Sequence, residues 1–372
     1  MTDIAISRRL RATPFTDRVE AAGVKAYTVY NHMLLPAHFG DVEAECAHLK
    51  KHVQVWDVSV ERQIEIIGPD AWKLVQLMTP RDVGKAQIGQ CFYIPLVDER
   101  GGMLNDPVLI KHSPERFWIS IADSDVLYWA KGLAYGYRFQ VEIFEPDVSP
   151  LAVQGPKSDE LMSRVFGNEV RGIRFFRGIW LPFEGHDFYI ARSGYSRQGG
   201  FEIYVDDSTL GEPLWDALFA AGEDLNVKAG GPNLIERIEG GLLSYGNDMT
   251  RENTPYECGL GRFCDPWISI GCVGRDALIR AEGDSPQRLI RGLRIYGERV
   301  PQCRVPWTII GDGGEKIGTV TSAVWSPEFE VNVAIGMLDR DFWEPGRTVW
   351  VEAPDETRPA EVTTLPFEKP TA

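Results

Sequence analysis

Helical and strand periods are interspersed through the first 283 residues of this chain, and after residue 289 the helical period disappears. "DVEAECAHLKKH" (41–52) reads as a short amphipathic helix and "WDVSVERQIEIIG" (56–68) as a strand. "DAWKLVQLMTP" has apolar residues at helical spacing and stops at Pro80, which cannot continue a helix. "CFYIPLV" and "MLNDPVLIK" flank a glycine-bearing loop at 98–102, as the arms of a hairpin do. "RFWISIA" reads as a strand and "SDVLYWAKGLAYG" as a helix. "SPLAVQGPKSDELMSRVFG" opens a second lobe as strand, turn and helix, and "GPNLIERIEGGLLSYGND" reads as a helical run near its end. From Leu289 to Phe367 only short strands and turns remain. The order lacks the regular alternation of a doubly wound sheet, so the fold class is α+β. The expected division is 1–283, two interleaved α+β lobes, and 289–367, a small all-β domain.

Charge narrows the partners. With 39 basic against 54 acidic residues the net charge is −15, the opposite of a nucleic-acid-binding surface. No apolar run approaches the roughly 20 residues that span a bilayer, and "MTDIAISRRLRATPF" does not read as a secretory signal. The six cysteines are scattered without a Cys-x-x-Cys pair, which fits reduced thiols in a cytoplasm. His48 and His52 are four apart, yet no third ligand stands near them in sequence, so no metal site is expected. Partners are expected to be small-molecule substrates, with no nucleic acid, no membrane and at most a second copy of the chain in a homodimer.

The chain carries no Walker loop, dinucleotide fingerprint, nucleophile elbow or zincin motif. "GYSRQGG" is glycine-rich but precedes a strand rather than a helix, so it lacks the helix N-terminus of a phosphate site. In "SGYSRQGGFEIYVDD", Phe201, Ile203 and Val205 alternate with Glu202 and Tyr204, as in a half-buried strand. Other polar and aromatic residues gather at turn–strand junctions: Tyr93, Asn105 with Asp106, Arg237 with Glu239, and Tyr245 with Asn247 and Asp248. Such a set suits a flat, amide-rich heterocycle, with aromatics for its faces and a carboxylate for a paired donor edge. Solvated strand faces and helix ends carry the same residue types.

Six stretches, in order, resemble the signatures of the folate-dependent aminomethyltransferase family, the glycine-cleavage T-protein and its relatives. They are "WDVSVERQIEI", "DERGGMLNDPV", "LAVQGPKS", "GYSRQGGFEIYV", "ERIEGGLLSYGNDMTRENTPYECGL" and "GTVTSAVWSPEFEVNVAIGML". The resemblance covers nearly the whole chain. It implies a trilobed fold with a C-terminal barrel, tetrahydrofolate as one-carbon acceptor, and folate in a central channel. It also implies that Glu202 holds the donor edge of the pterin while Tyr93 and Tyr195 help enclose the ring. Asn105 or Asp106 stands for the family's acid at the reacting end, with Asp106 the catalytic candidate. Arg237 either steers a polyglutamate tail or pairs with Glu239, and Tyr245 belongs to the loop that closes the folate site.

The sequence departs from the T-protein pattern where that pattern has two successive acids, since Asn105 and Asp106 stand there. "SRQGG" replaces the usual Thr-Gly-Glu-Asp-Gly turn. These departures put the T-protein reaction in doubt, and the chain's particular combination of motifs resembles a member of the family that moves an intact methyl group from a sulfonium to tetrahydrofolate. A sulfonium is a good leaving group and asks the enzyme for proximity more than acid–base chemistry. Aromatic faces can hold such a cation, and Tyr30, Tyr93, Tyr195 and Tyr204 are the candidates, Tyr30 and Tyr204 for the donor. Its carboxylate would meet Arg62, Arg197 or Lys111, which the sequence does not separate. A quaternary amine such as glycine betaine is the alternative donor, and a folate-binding protein without turnover is the alternative class.

Overall fold

The computed structural model describes residues 7–267 and 271–368. The chain forms two compact units. One is built from the chain up to Leu74, Lys85–Tyr93 and Pro107–Asn233; the other from Val75–Gly84, Ile94–Asp106 and the chain from Leu234 on.

The first unit is organised by a six-stranded sheet. Its order is Gly178–Phe183, His186–Ala191, Gly200–Val205, Ser149–Gln154, Val53–Asp57 and Val227–Gly230. All neighbours are antiparallel except the last pair. Alternation sends Val53, Val55, Leu151, Val153, Phe188, Ile190, Phe201, Ile203 and Val205 to one face. There they meet Leu161 and Met162 of the helix Ser158–Phe166 and Leu214, Trp215 and Leu218 of the helix Gly211–Ala221. Each large side chain buried this way contributes roughly 1.5–3 kcal/mol, which makes this core the unit's main stabilising mass. The arm before the sheet is tied down by a polar contact: Thr13 Oγ1 donates to the buried Asp57 carboxylate at 2.6 Å.

The same unit holds a five-stranded antiparallel sheet, ordered Glu142–Phe144, Gln63–Ile67, Arg116–Ser120, Val108–Ser113 and Gln90–Tyr93. Its Cys91, Ile110 and Trp118 pack with Tyr189, Ala191 and Tyr204 of the first sheet. The Gly200–Val205 strand is therefore buried on both faces rather than half-buried as its alternation suggested. "WDVSVERQIEIIG" likewise divides: Val53–Asp57 and Gln63–Ile67 belong to different sheets, separated by a turn. The expected hairpin forms, but each arm breaks once. Leu96–Val97 pairs with Met103–Asn105, while Gln90–Tyr93 pairs with Val108–Ser113. Pro95 and Pro107 stand at the break on the two arms, where neither can donate a ladder hydrogen bond.

In the second unit six strands close into an antiparallel barrel, ordered Arg288–Ile295, Val331–Asp339, Lys316–Ser326, Trp307–Ile310, Thr348–Glu352 and Thr357–Thr363. Leu293, Trp307, Ile309, Val320, Leu338, Val349 and Val362 fill it, so it is a packed core rather than a ligand chamber. The helical run is shorter than its pattern implied. It spans Leu234–Glu239 only, and Tyr245 to Asp248 lie in turns beyond it. Gly240 and Gly241 follow the last helical residue, Gly241 with φ +63°, which explains the early stop.

Arg237 and Asp248 lock that helix to the loop and barrel. The Arg237 guanidinium donates to Asp248 Oδ2 at 2.7 Å, to Ser322 Oγ at 2.6 Å and to the Leu242 carbonyl at 3.2 Å. Asp248 also accepts from Thr321 Oγ1 at 2.7 Å, Ser322 Oγ at 2.6 Å and the Ser244 N–H at 3.0 Å. Asp248→Ala would leave a buried guanidinium without its carboxylate. The expected loss is about 3–5 kcal/mol in denaturant unfolding; a loss below about 1 kcal/mol would show that the network is not structural.

Candidate functional site

The polar face of the six-stranded sheet gathers the residues the sequence singled out around Glu202. Cross-strand register sets a row of partners on that face: Gly178, Ala191, Glu202, Ala152, Trp56 and Gly230. Glu202 thus stands between two buried alanines, which offer no side-chain hydrogen bond. The next row on the same face is aromatic, running Trp180, Tyr189, Tyr204 and then Pro150. Trp118 of the other sheet caps this row, its ring 6.0 Å from Tyr204 and 6.4 Å from Tyr189. His112 stands edge-on to Trp118 at 4.3 Å, and burial pushes its imidazole down to about 3. It is a neutral wall of the cluster at any working pH.

Glu202 is only 7 % exposed. Ser193 Oγ donates to its Oε2 at 2.5 Å, and the Tyr204 hydroxyl donates to the same oxygen at 3.3 Å. Burial raises the carboxyl above its usual range, and these two donors work against that rise. Tyr204, fully buried, is held far above an ordinary phenol by burial and then by Glu202. Cys91 is likewise pushed up by burial, so its thiol stays protonated.

Gln154 shapes the turn that delivers Ser193. Its Nε2 donates to the Ser193 carbonyl at 3.1 Å and the Phe201 carbonyl at 3.3 Å, and its Oε1 accepts from Ser196 Oγ at 2.8 Å. The glutamine occupies the volume where side chains would otherwise begin. A Cβ on Gly194 would lie 2.1 Å from Gln154 Nε2, and one on Gly200 would lie 2.3 Å from the Val153 carbonyl. Both glycines also have φ near +150°, which side-chain-bearing residues rarely adopt. Gly194 and Gly200 therefore wrap a buried amide rather than cradle a phosphate.

Other candidates in this unit stand apart from that row. Tyr93 ends the strand Gln90–Tyr93, half-buried and opposite Val108. Tyr195 is half-buried within the glycine turn. Tyr30 precedes a tight turn through Asn31 and His32, both with positive φ, and the Asn31 side chain docks that turn on the Val60 and Ala122 carbonyls. Of the three cations considered for a donor carboxylate, Arg62 is paired with Glu145, Lys111 donates to the Ala86 carbonyl at 2.9 Å, and Arg197 is exposed.

In the second unit Asn105 and Asp106 separate by burial. Asn105 is fully buried in the short ribbon opposite Leu96, whereas Asp106 is half-buried just beyond the strand. Tyr245 donates to the Met103 carbonyl at 3.1 Å, and its phenol is raised by burial and by the nearby Asp106 and Asp98 charges. Arg237 belongs to the Asp248 network described above rather than to an open surface. Sequence reading found the carboxylates and tyrosines but missed Ser193, Gln154, Trp118 and the two alanines. Pairing register reveals the alanines, hydrogen bonds reveal Ser193 and Gln154, and ring packing reveals Trp118.

The raised Glu202 carboxyl makes a signed prediction for the ligand-free protein. A carboxyl whose folded value lies above its unfolded value of about 4.3 adds stability below that pH and loses it as pH rises through the folded value. Glu202→Gln removes the loss. The variant's melting temperature should exceed that of the parent, and the gap should widen from pH 5 to pH 8. A constant gap, or one that closes as pH rises, would contradict the assignment.

Comparison with known proteins agrees with this geometry. The model of the GCVT N-terminal domain matches residues 15–266, and that of the glycine cleavage T-protein C-terminal barrel domain matches residues 288–369. Dimethylsulfoniopropionate demethylase DmdA of Ruegeria pomeroyi is 59 % identical over 97 % of this chain and 98 % of its own length. A probable aminomethyltransferase of Halobacterium salinarum is 30 % identical over 96 % of this chain and 99 % of its own. The crystal structure of the glycine cleavage system aminomethyltransferase T from Bartonella henselae superposes with a TM-score of 0.85 at 26 % identity, covering 98 % of this chain and 99 % of that one. Among the described residues no helix is long and apolar enough to cross a membrane. With both domain models matched in order and relatives aligned along almost its full length, the chain belongs to the glycine-cleavage T-protein family of folate-dependent aminomethyltransferases.

Proposed function

We propose that this chain is a demethylase that moves a methyl group from dimethylsulfoniopropionate to tetrahydrofolate, giving 5-methyltetrahydrofolate and 3-methylmercaptopropionate. The observation that carries the donor is the 59 % identity to a dimethylsulfoniopropionate demethylase across almost the whole chain. The acceptor fits the Glu202 shelf: a buried carboxylate between two alanines, with both local donors on one oxygen, suits a ligand that presents paired N–H groups. Each such charge-assisted bond contributes roughly 1.5–3 kcal/mol. Tetrahydrofolate, when bound, supplies the nucleophilic nitrogen that accepts the methyl carbon.

The chain's own part is binding and alignment. Glu202 takes the pterin's amino and ring N–H donors, and Tyr93 and Tyr195 enclose the ring. Asp106, the more accessible of the adjacent pair, is assigned the hydrogen bond at the reacting end, and the buried Asn105 supports it. Arg237 and Tyr245 hold the loop after the helix Leu234–Glu239. On the donor side an aromatic such as Tyr30 offers the cation a face, for roughly 0.5–2 kcal/mol. The Tyr204 ring is enclosed and its hydroxyl is on Glu202, which supports a place for it beside the folate. Displacement at a sulfonium carbon releases a neutral sulfide that needs no protonation, and the proton displaced from the accepting nitrogen passes to water, so proximity and in-line geometry are the main demands.

We read residues 1–283 as the folate-binding region and 289–367 as the barrel domain, and place the enzyme in the cytoplasm as a homodimer, which light scattering can test. Incubation with tetrahydrofolate and dimethylsulfoniopropionate, in parallel with glycine betaine, should yield 5-methyltetrahydrofolate by mass spectrometry with the sulfonium alone. Asp106→Asn should lower kcat by about 10²-fold through misalignment of the reacting groups. Product from neither donor, in protein whose melting temperature folate still raises, would overturn the demethylase reading.

A further inference from the structure

Two donors, from different segments, end on the same oxygen of Glu202. Ser193 follows the strand His186–Ala191 by two residues, so it continues the face on which Ala191 pairs with Glu202. Tyr204 lies two residues on along the Glu202 strand itself. Ala152 and Ala191, the direct neighbours of Glu202, have no side-chain hydrogen bond to give.

We propose that Ser193 and Tyr204 are positioning residues for folate capture: by donating to Oε2 they fix the rotation of the Glu202 carboxylate, keep it ionised within the sheet and leave Oε1 to the ligand. The inference rests on the reading of Glu202 as the pterin clamp. A carboxylate between two alanines has few ways to replace its lost hydration, and a protonated Glu202 would meet the ligand's N–H groups with one of its own O–H groups. The two hydroxyls supply that replacement from the side away from the ligand. The other titratable groups around this face do not compete. Cys91 from the strand Gln90–Tyr93, Tyr189 from the neighbouring strand and Tyr204 itself are all raised by burial and remain neutral. Arg177 acts on Cys91 and Tyr189, and Glu61 acts on Tyr204. The charge state of the shelf is therefore that of Glu202.

The test is tetrahydrofolate affinity measured by anaerobic calorimetry from pH 5 to pH 9 for the parent protein and for Ser193→Ala, Ser193→Thr, Tyr204→Phe and Glu202→Gln, with thermal melts to establish folding. In the parent, affinity falls on the acid side as Glu202 takes up a proton. Ser193→Ala should move that acid limb to higher pH by about one unit, a roughly tenfold weaker affinity at pH 6 that recovers by pH 9. Ser193→Thr should restore the parent profile, and Tyr204→Phe should give a smaller shift in the same direction. Glu202→Gln should bind weakly with no acid limb. An unmoved limb in Ser193→Ala and Tyr204→Phe, or a loss equal at every pH, beside weak binding in Glu202→Gln, would overturn the positioning role while leaving the clamp intact. Parent-like binding in Glu202→Gln would instead remove the clamp itself, and this inference with it. Should Ser193→Ala fail to fold, Tyr204→Phe carries the same test.

Discussion

A carboxylate taken from water into a protein interior stays charged only where hydrogen-bond donors replace its hydration. Glu202 meets that condition barely, with two hydroxyls on one oxygen and alanines on either side. Much of the first unit is arranged around this compromise. Gln154 fills the glycine turn that brings Ser193 to the carboxylate, and Trp118 of the opposing sheet closes over Tyr204. The helix-packed core on the other face holds the strands in register, and register is what sets the row in which Glu202 stands. An empty acceptor in such a place is costly for folding and valuable for binding, the combination expected of a functional site.

The second unit solves a buried-charge problem in the opposite way. Asp248 accepts hydrogen bonds from Arg237, Ser322, Thr321 and the Ser244 backbone, so its charge is fully matched. Both carboxylates are nearly solvent-free, yet Asp248 meets four donors while Glu202, raised by burial, meets two on one oxygen. A matched carboxylate is structural, whereas a half-matched one has capacity for a ligand. That contrast separates the residues of "YGND" from Glu202 more clearly than any spacing rule.

Much of this was legible in the sequence. Strand alternation and helix stops located the main elements, and six ordered motifs identified the family before any geometry. Glu202 stood out because a carboxylate and a phenol shared a strand face beside a glycine turn. What stayed hidden depends on partners remote in sequence. Ala152 and Ala191 look like ordinary core until cross-strand pairing aligns them with Glu202, and Ser193 and Gln154 look like turn and strand residues until their hydrogen bonds are seen. The break in the hairpin arms is encoded by Pro95 and Pro107, but single-strand periodicity cannot see that both arms break together. The short helix Leu234–Glu239 shows a further limit, since apolar residues continue past Gly241 after the backbone has turned away.

On the proposed function, Glu202 receives the pterin's donor edge on a carboxylate already fixed by the chain itself. A crystal structure of the protein with bound tetrahydrofolate tests it most directly. The expected result is the pterin amino and ring N–H groups within hydrogen-bond distance of Glu202, with Ser193 and Tyr204 still on Oε2. A folate bound elsewhere, with Glu202 still held by Ser193 and Tyr204 alone, would contradict it.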